Sequence, residues 1–216
     1  MNTVKFAAAA LAGMELTNAF EMTNPTLAEA VAYPEWSFVM TPWVEEYAWK
    51  PLEVTTDDGY ILTMFKVTKR FSECESTTSV LYQHGYGFDS TESVGLWNTL
   101  YPGVKPHLID VLDDCNDVYF TNSRGTRYSL GHTNEEPEYN KSQAYWNFSF
   151  EQMGLFDFPA FMDKIYEDNG GEKMYMINSS LGTTISHYAL AQDFEEGYFA
   201  DRIEKVIQVA PCPGAL

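Results

Sequence analysis

A serine-centred turn between a predicted strand and a predicted helix is the feature of this sequence best suited to covalent chemistry. Residues 174–177 are mostly apolar, Asn178-Ser179-Ser180-Leu181-Gly182 follows as a turn, and residues 183–188 continue with a helical pattern. Such a turn lifts its middle serine out of the sheet, and the helix directs free N–H groups at the reacting oxygen. Gly182 is the small residue two positions beyond Ser180, so the spacing selects Ser180 as the nucleophile.

The turn departs from the usual G-x-S-x-G form at one position. Asn178 stands where the first glycine is expected, and asparagine tolerates unusual backbone angles but is bulkier than glycine. Serines that precede helices also serve as N-caps, so the turn taken alone fits a structural role as well as a catalytic one. A second polar segment, His84-Gly85, follows another predicted strand. Both segments therefore fall where α/β sheets bind ligands, at the carboxyl ends of strands.

The elements that would position these residues alternate between strands and helices from residue 79 onward. Strands are predicted at residues 52–56, 60–67, 79–83, 117–121, 173–177 and 205–210, and helices at residues 41–49, 93–100 and 181–192. The alternation predicts an α/β fold with a mostly parallel sheet and helices on both faces. Asp57-Asp58-Gly59 lies between the first two strands and predicts an antiparallel hairpin at one side of the sheet.

Two further helices are predicted from their start signals. Ser149 and Gln152 have the spacing of a capping box, and Asp157 is predicted to cap the next helix, with Pro159 in its first turn. An apolar face on that second helix indicates packing against the sheet, and its members are Phe158, Phe161, Met162, Ile165 and Tyr166.

Composition and charge limit the classes of partner. Of the 216 residues, 13 are basic and 31 acidic, so the formal net charge is −18, and 45% are apolar, as in folded proteins. The charge argues against nucleic acid, because phosphate binding needs clustered Lys and Arg. No apolar run is long enough to cross a bilayer. Three cysteines are too few and scattered for a zinc site, leaving buried thiols or one bridge plus a spare: Cys74, Cys115 and Cys212.

The N-terminus has the order of an export signal. Lys5 precedes a short apolar run at residues 6–12, and small residues follow at residues 17–19. An alanine-rich helix would have the same run. Export would make two glycosylation sequons relevant, at Asn140 and Asn147. The third match begins at Asn178, in a segment that we predict to be buried.

Several segments resemble the acid lipases of the gastric and lysosomal type, in the right order. They are T-T-D-D-G-Y-I-L at residues 55–62, L-Y-Q-H-G at 81–85, N-S-R-G at 122–125, W-N-F-S-F-E-Q-M at 146–153, F-D-F-P-A at 156–160 and S-L-G-T-T at 180–184. The combination is far more specific than any one motif, and the resemblance covers roughly residues 40–212.

This resemblance implies an α/β-hydrolase fold and hydrolysis of triacylglycerols or steryl esters through an acyl-serine intermediate. It implies no metal and no organic cofactor, a neutral lipid ester as substrate, contact with a lipid–water interface, and a secreted or lysosomal location. The domain boundaries expected are a signal peptide at residues 1–19 and the N-terminal portion of an α/β-hydrolase lipase domain at residues 20–216.

The resemblance also assigns roles to individual residues. Ser180 is the nucleophile, and the backbone N–H groups of Leu181 and Tyr86 are the oxyanion donors, each worth about 3 kcal/mol of barrier. The residues expected to support the site are His84 and Gly85 in the oxyanion loop and Asn178 and Gly182 at the turn.

The catalytic triad is not completed in order. In this fold the nucleophile is followed by an acid and then by a histidine. The only histidine after Ser180 is His187, which precedes every acidic residue of that stretch and lies two helical turns along. We therefore expect a fold incomplete at the C-terminus, truncated before the lid and inactive alone. The alternatives are a catalytically dead lipid-binding or scaffold protein, a chain completed by a partner, and a thioesterase.

Overall fold

The computed structural model describes residues 25–71, 73–74, 76–91, 93–94, 115–136, 138–192 and 194–212. Seven strands form one sheet: β1 Tyr47–Thr55, β2 Tyr60–Lys69, β3 Thr78–Gln83, β4 Asn116–Phe120, β5 Gly131–His132, β6 Met174–Ser179 and β7 Ile203–Val209. The order across the sheet is β1-β2-β4-β3-β6-β7, and β5 pairs with β2. β1, β2 and β5 pair antiparallel with their neighbours, whereas β4, β3, β6 and β7 run parallel to one another. The predicted mixed sheet is confirmed.

Helices lie on both faces of this sheet, as predicted. They are α1 Leu27–Ala32, α2 Pro34–Met40, α3 Phe150–Gln152, α4 Phe158–Asp168, α5 Leu181–Leu190 and α6 Tyr198–Arg202. A π-helical segment at Met153–Asp157 joins α3 to α4, and 3-10 turns lie at Thr41–Trp43 and Tyr139–Lys141. No helix in the described ranges is long and apolar enough to cross a bilayer. Residues 95–100 of the helix predicted at 93–100 lie outside those ranges.

The hairpin of β1 and β2 is present but longer than predicted. Gly59 has a φ of +94° in the turn, a conformation that favours glycine. The helix predicted at residues 41–49 is wrong beyond the 3-10 turn at Thr41–Trp43, because β1 begins at Tyr47. Ala48 and Trp49 are buried and pair with β2, and this packing overrides the local helical pattern. Pro51 is tolerated because β1 is an edge strand.

Each face of the sheet has its own apolar core. On one face α4 and α5 pack against β6, and the predicted apolar positions of α4 are fully buried there except for Tyr166, which is partly buried. On the other face α2 covers β2, where the Trp36 ring stacks on Phe65 with centroids 4.2 Å apart. Alternate residues of β2 serve the two cores, because successive side chains of a strand point to opposite faces.

The capping box at Ser149 is confirmed, but the predicted cap at Asp157 is wrong. Ser149 accepts a hydrogen bond from a first-turn N–H, and Gln152 bonds back to the Ser149 N–H. Asp157 has helical backbone angles and makes no side-chain cap, because the π-helical segment continues directly into α4. Its carboxylate instead accepts hydrogen bonds from Arg124.

Polar contacts fasten the end of α4 to the sheet. Asp168 accepts hydrogen bonds from Lys50 at 3.0 Å, Lys66 at 2.9 Å and the Tyr119 hydroxyl at 2.8 Å. Burial alone would raise the pKa of Asp168, but these partners outweigh it and lower that pKa to about 2.

A disulfide joins Cys74 to Cys115, with Cα atoms 5.6 Å apart, and Cys212 is a free thiol. The cysteines therefore form one bridge plus a spare, which is one of the two arrangements that the sequence left open. Among the residues for which positions are given, no group of three or more His, Cys, Asp or Glu is placed to hold a metal ion.

Candidate active site

Ser180 lies at a sharp backbone bend between β6 and α5. Its φ is +49° and its ψ is −118°, in a region that residues other than glycine rarely occupy. The bend is held on both sides, because the Ser180 N–H donates to the Val209 carbonyl at 2.9 Å and its carbonyl accepts from the Thr183 N–H at 2.9 Å. A strained serine at the mouth of a helix is the geometry of a nucleophile elbow.

Two glycines let the main chain approach this bend closely. A Cβ atom added to Gly85 would lie 2.9 Å from the Cβ of Ser180 and 3.5 Å from its Oγ. A Cβ atom added to Gly182 would lie 2.8 Å from the carbonyl oxygens of both Gln83 and His84. The loop after β3 and the turn after β6 are therefore in direct contact, and neither glycine leaves room for a side chain.

His84 is buried, and its two ring nitrogens connect the loop after β3 with the segment after β4. Its Nδ1 lies 2.8 Å from the Gly85 carbonyl oxygen, and its Nε2 accepts a hydrogen bond from the Ser123 N–H at 3.1 Å. Burial lowers the pKa of His84, despite the opposing effect of the Gly85 carbonyl. The ring is thus neutral at pH 7 and is engaged in holding the loop.

Asn178 is fully buried at the first small position of the turn. Neither its Oδ1 nor its Nδ2 has a hydrogen-bond partner among the described residues. Burial excludes glycosylation of the folded chain at Asn178, as expected. Asn147, in the second sequon, is exposed, and Asn140 is half-buried.

A cavity of about 590 Å³ opens beside the bend. Such a volume is in the range of small-molecule sites. Tyr86 and Trp146 at this cavity are 81% and 47% exposed, which leaves aromatic surface at its mouth. Its lining is mainly apolar and aromatic, and the apolar side chains are Tyr86, Phe88, Trp146, Phe148, Met153, Leu181 and Ile185.

Arg124 lines the cavity and forms a buried clamp with Asp157, Asp58 and Tyr60. Its Nε lies 2.7 Å from Asp157, its two terminal nitrogens lie 2.6 and 2.8 Å from Asp58, and its guanidinium lies 3.9 Å from the ring centroid of Tyr60. Burial raises the pKa of Asp157 to about 6 against the effect of Arg124. For Asp58, partial burial is outweighed by the hydrogen bonds from Arg124 and Thr56, so its pKa is lowered. Motif spacing did not identify this clamp, because its partners are 66 and 33 residues away.

No histidine or carboxylate is hydrogen-bonded to Ser180 within the part of the chain that the structure describes. His187 is exposed on α5, about 10 Å along the helix from Ser180 at 1.5 Å per residue. His132 packs edge-on against Tyr60, and its Nδ1 accepts a hydrogen bond from the Asn134 N–H. His107 lies outside the described residues.

Comparison with known proteins finds similarity to lipases. Residues 44–95 match the family model of the partial alpha/beta-hydrolase lipase region. Lysosomal acid lipase/cholesteryl ester hydrolase of Homo sapiens is 31% identical over 202 residues, which are 92% of this chain and 45% of that protein. Gastric triacylglycerol lipase of Mus musculus is 34% identical over 171 residues, 77% of this chain and 39% of that protein.

Among solved structures, hypothetical protein PA2218 from Pseudomonas aeruginosa shares the fold, with a TM-score of 0.51 at 13% identity over 76% of this chain and 42% of that chain. The chain spans less than half the length of the curated relatives named above. The lipase-region match and the relatives at about 30% identity agree with the topology of the sheet. By this evidence the chain is similar to the acid lipases over the matched residues, and its fold is that of an α/β-hydrolase.

Proposed function

We propose that Ser180 is the nucleophile of a carboxylic ester hydrolase that acts on triacylglycerols or steryl esters. The observation that carries this proposal is the strained backbone of Ser180, with φ +49°, at the start of α5. A fold retains such strain only where the surrounding contacts hold it, and strained residues cluster at active sites. The relatives include a triacylglycerol lipase and a cholesteryl ester hydrolase by name, which supports this substrate class.

The proposed reaction proceeds through an acyl-serine intermediate. The Ser180 Oγ bonds to the acyl carbon, its proton passes to a base, and the alcohol leaves with a proton; water then releases the acid. Negative charge develops on the former carbonyl oxygen. Leu181 supplies an N–H group at the start of α5, where helical N–H groups lack partners, and Tyr86 supplies one from the loop that Gly85 packs against Ser180.

The cavity supports an apolar acyl chain as the bound group. Its apolar lining includes Ile185, Phe148 and Trp146. Each methylene that moves from water to such a wall contributes about 0.8 kcal/mol. His84 and Gly85 hold the loop, and the proposal requires no metal or organic cofactor.

The residues after Ser180 do not provide a general base in the expected chain order of nucleophile, acid and histidine. His187 precedes the acids of that stretch and is exposed. A serine without its base is a weak nucleophile, because the triad members act as a unit. We therefore expect the 216-residue chain to hydrolyse esters very slowly by itself.

Labelling with a fluorophosphonate in the presence of imidazole tests the proposal. Imidazole serves as an external base, so we expect the labelling rate to rise with imidazole concentration. Ser180→Ala removes the labelling, whereas the matched control Ser179→Ala retains it. Intact-protein mass spectrometry measures the adduct. Equal labelling of the wild-type chain and Ser180→Ala would rule out Ser180 as the nucleophile.

A non-enzymatic lipid-binding protein is the second candidate. Two features favour it: Asn178 stands where glycine is expected, and the only histidine after Ser180 precedes the acidic residues instead of following them. In that case a cooperatively folded chain binds a fluorescent fatty acid but takes no fluorophosphonate at any imidazole concentration. Binding together with adduct formation at Ser180 favours the hydrolase.

We also propose that the chain enters the secretory pathway. The names of the gastric and lysosomal relatives support a secreted or lysosomal location, with a signal peptide at residues 1–19 and the lipase region from residue 20. N-terminal sequencing after expression in eukaryotic cells tests the cleavage, and a peptide:N-glycosidase shift tests glycosylation at Asn147. An N-terminus that still begins at Met1 contradicts the cleavage.

A further inference from the structure

Three amide side chains form a row across the parallel part of the sheet. Gln83 on β3 and Gln208 on β7 are the register partners of Asn178 on β6, on either side of it. Residues in register on parallel strands project to the same face. We call Gln83, Asn178 and Gln208 the amide row; it crosses the sheet two residues before Ser180, on the face that α5 covers.

Both outer members of the amide row, Gln83 and Gln208, are hydrogen-bonded to neighbouring segments. The Gln83 Nε2 donates to the Ser123 Oγ at 2.9 Å, and its Oε1 accepts from the Thr121 Oγ1 at 2.8 Å. The Gln208 Nε2 donates to the Ser186 Oγ on α5 at 3.2 Å. The row therefore reaches from the segment after β4 to the helix that follows the nucleophile.

The central member has unpaired polar atoms. Asn178 is fully buried, and its Oδ1 and Nδ2 and the Gln208 Oε1 make no hydrogen bond with any described residue. Buried polar atoms in native proteins are almost always paired, with protein groups or with internal water, and a buried water needs two to four polar partners. These three atoms, on adjacent strands, offer that number.

We propose that an internal water links Asn178 to Gln208, and that Asn178 is thereby a positioning residue for Ser180. The water accepts from the Asn178 Nδ2 and donates to the Gln208 Oε1. The next rung of the same strand pair is the hydrogen bond from the Ser180 N–H to the Val209 carbonyl, so a bridge at the amide row holds β7 beneath the bend. The inference rests on the proposed function only in taking Ser180 as the nucleophile.

The opposite account is that Asn178 is a dry, tolerated substitute for glycine. The two accounts predict opposite effects of an apolar residue of similar size. If Asn178 is unhydrated and unpaired, replacing it by leucine removes an unpaired polar group and stabilises the fold. If a water links it to Gln208, the same replacement leaves Gln208 without its partner and destabilises the fold.

A double-mutant cycle on the full chain distinguishes them. We expect Asn178→Leu and Gln208→Leu each to lower the Tm by about 3–6 °C. The double variant is expected to lose much less Tm than the two single losses add up to, because both substitutions break the same bridge. Gln143→Leu, at an exposed amide, is the matched control and leaves the Tm unchanged. A Tm that rises in Asn178→Leu, or losses that simply add, overturns the proposal.

Two further measurements address the water and the bend directly. A crystal structure is expected to have a density peak within hydrogen-bond distance of both Asn178 and Gln208; a direct side-chain contact or an empty, dry gap contradicts the bridge. Hydrogen exchange of the Ser180 N–H is expected to be faster in Asn178→Leu than global stability explains, and Asn178→Ser, which can still bind water, restores its protection. None of these readouts depends on ester hydrolysis, so they separate failure of this proposal from failure of the proposed function.

Discussion

At the scale of single residues, the site depends on main-chain contacts more than on side-chain pairs. Gly85 touches Ser180, and Gly182 touches the carbonyl oxygens of Gln83 and His84. His84 uses one ring nitrogen at Gly85 in its own loop and the other at Ser123 in the segment after β4. The oxyanion donors proposed here, the N–H groups of Tyr86 and Leu181, therefore depend on two glycines and a neutral histidine for their position.

Gly85→Ala is expected to slow fluorophosphonate labelling of Ser180 by at least about tenfold, because about 1.4 kcal/mol of lost stabilisation corresponds to that factor. The added methyl group would lie 2.9 Å from the Ser180 Cβ, so the loop must move away from the bend. Labelling rates with imidazole measure the effect, and the thermal melt shows whether the fold is retained. An unchanged rate in a folded variant would contradict the role of this contact.

Arg124→Met is expected to lower the free energy of unfolding by about 3–5 kcal/mol, because it leaves Asp157 buried without its partner. Asp157→Asn in the same chain recovers part of the loss, since a neutral amide costs less to bury than a carboxylate. Urea unfolding followed by tryptophan fluorescence measures both. Lys141→Met, at an exposed lysine paired with the exposed Glu138, is the control and changes stability by less than about 1 kcal/mol.

Spacing along the chain identified some residues of the site and missed others. Ser180 and Gly182 were selectable because the turn is local: two positions and a strand-to-helix switch define it. The Arg124 clamp joins segments 33 and 66 residues apart, and nothing in the local pattern names its partners. The orphan atoms of Asn178 were equally invisible, because they depend on which strands become neighbours.

At the scale of elements, local signals located most strands and helices but not all their ends. The capping box at Ser149 and the hairpin glycine at 59 are local features, and both are confirmed. The strand at Tyr47 and the helix at residues 34–40 were missed, because their identity comes from burial against β2. The cap expected at Asp157 failed because a π-helical segment runs through it.

Asp168→Asn is expected to flatten the acid dependence of stability. The folded pKa of Asp168 is about 2, below its ordinary value of 3.8, so its contribution is fully present above about pH 4 and is lost as the pH falls towards 2. We expect the variant to be less stable than the wild type by about 1–2 kcal/mol at pH 6, a figure discounted for partial solvent contact, and the gap to narrow below pH 4.

Urea unfolding between pH 2 and pH 6 measures this gap. Asp201→Asn, at an exposed carboxylate, is the matched control and follows the wild-type curve. A constant difference between the wild type and Asp168→Asn across the range would mean that the contacts of Asp168 do not depend on its charge.

At the scale of the whole molecule, β1 and β7 are the two edge strands of the sheet in the described part of the chain. β7 is the last strand in the sheet order, and it exposes Val206, Ile207 and Val209. Exposed apolar edge strands favour association with other chains. The disulfide joins the β2–β3 connection to the residue before β4 across a sequence separation of 41.

Replacing Cys74 and Cys115 by serine is expected to lower the free energy of unfolding by up to about 4 kcal/mol, from the closure entropy of a loop of 41 residues. Urea unfolding of the oxidised wild type and the double variant measures it. Cys212→Ser is the control, because that thiol is free, and it leaves stability near the wild-type value. Equal stability of all three proteins would exclude a stabilising role for the bridge.

The two glycines at the bend also constrain how this protein tolerates mutation. Where main chain meets main chain, no rotamer can relieve a clash, so every codon change that creates a side chain at Gly182 meets two carbonyl oxygens at once. Leu181, between that glycine and the serine, borders open space in the cavity. In a saturation library of functional variants, many amino acids would therefore be retained at position 181, and almost only glycine at position 182.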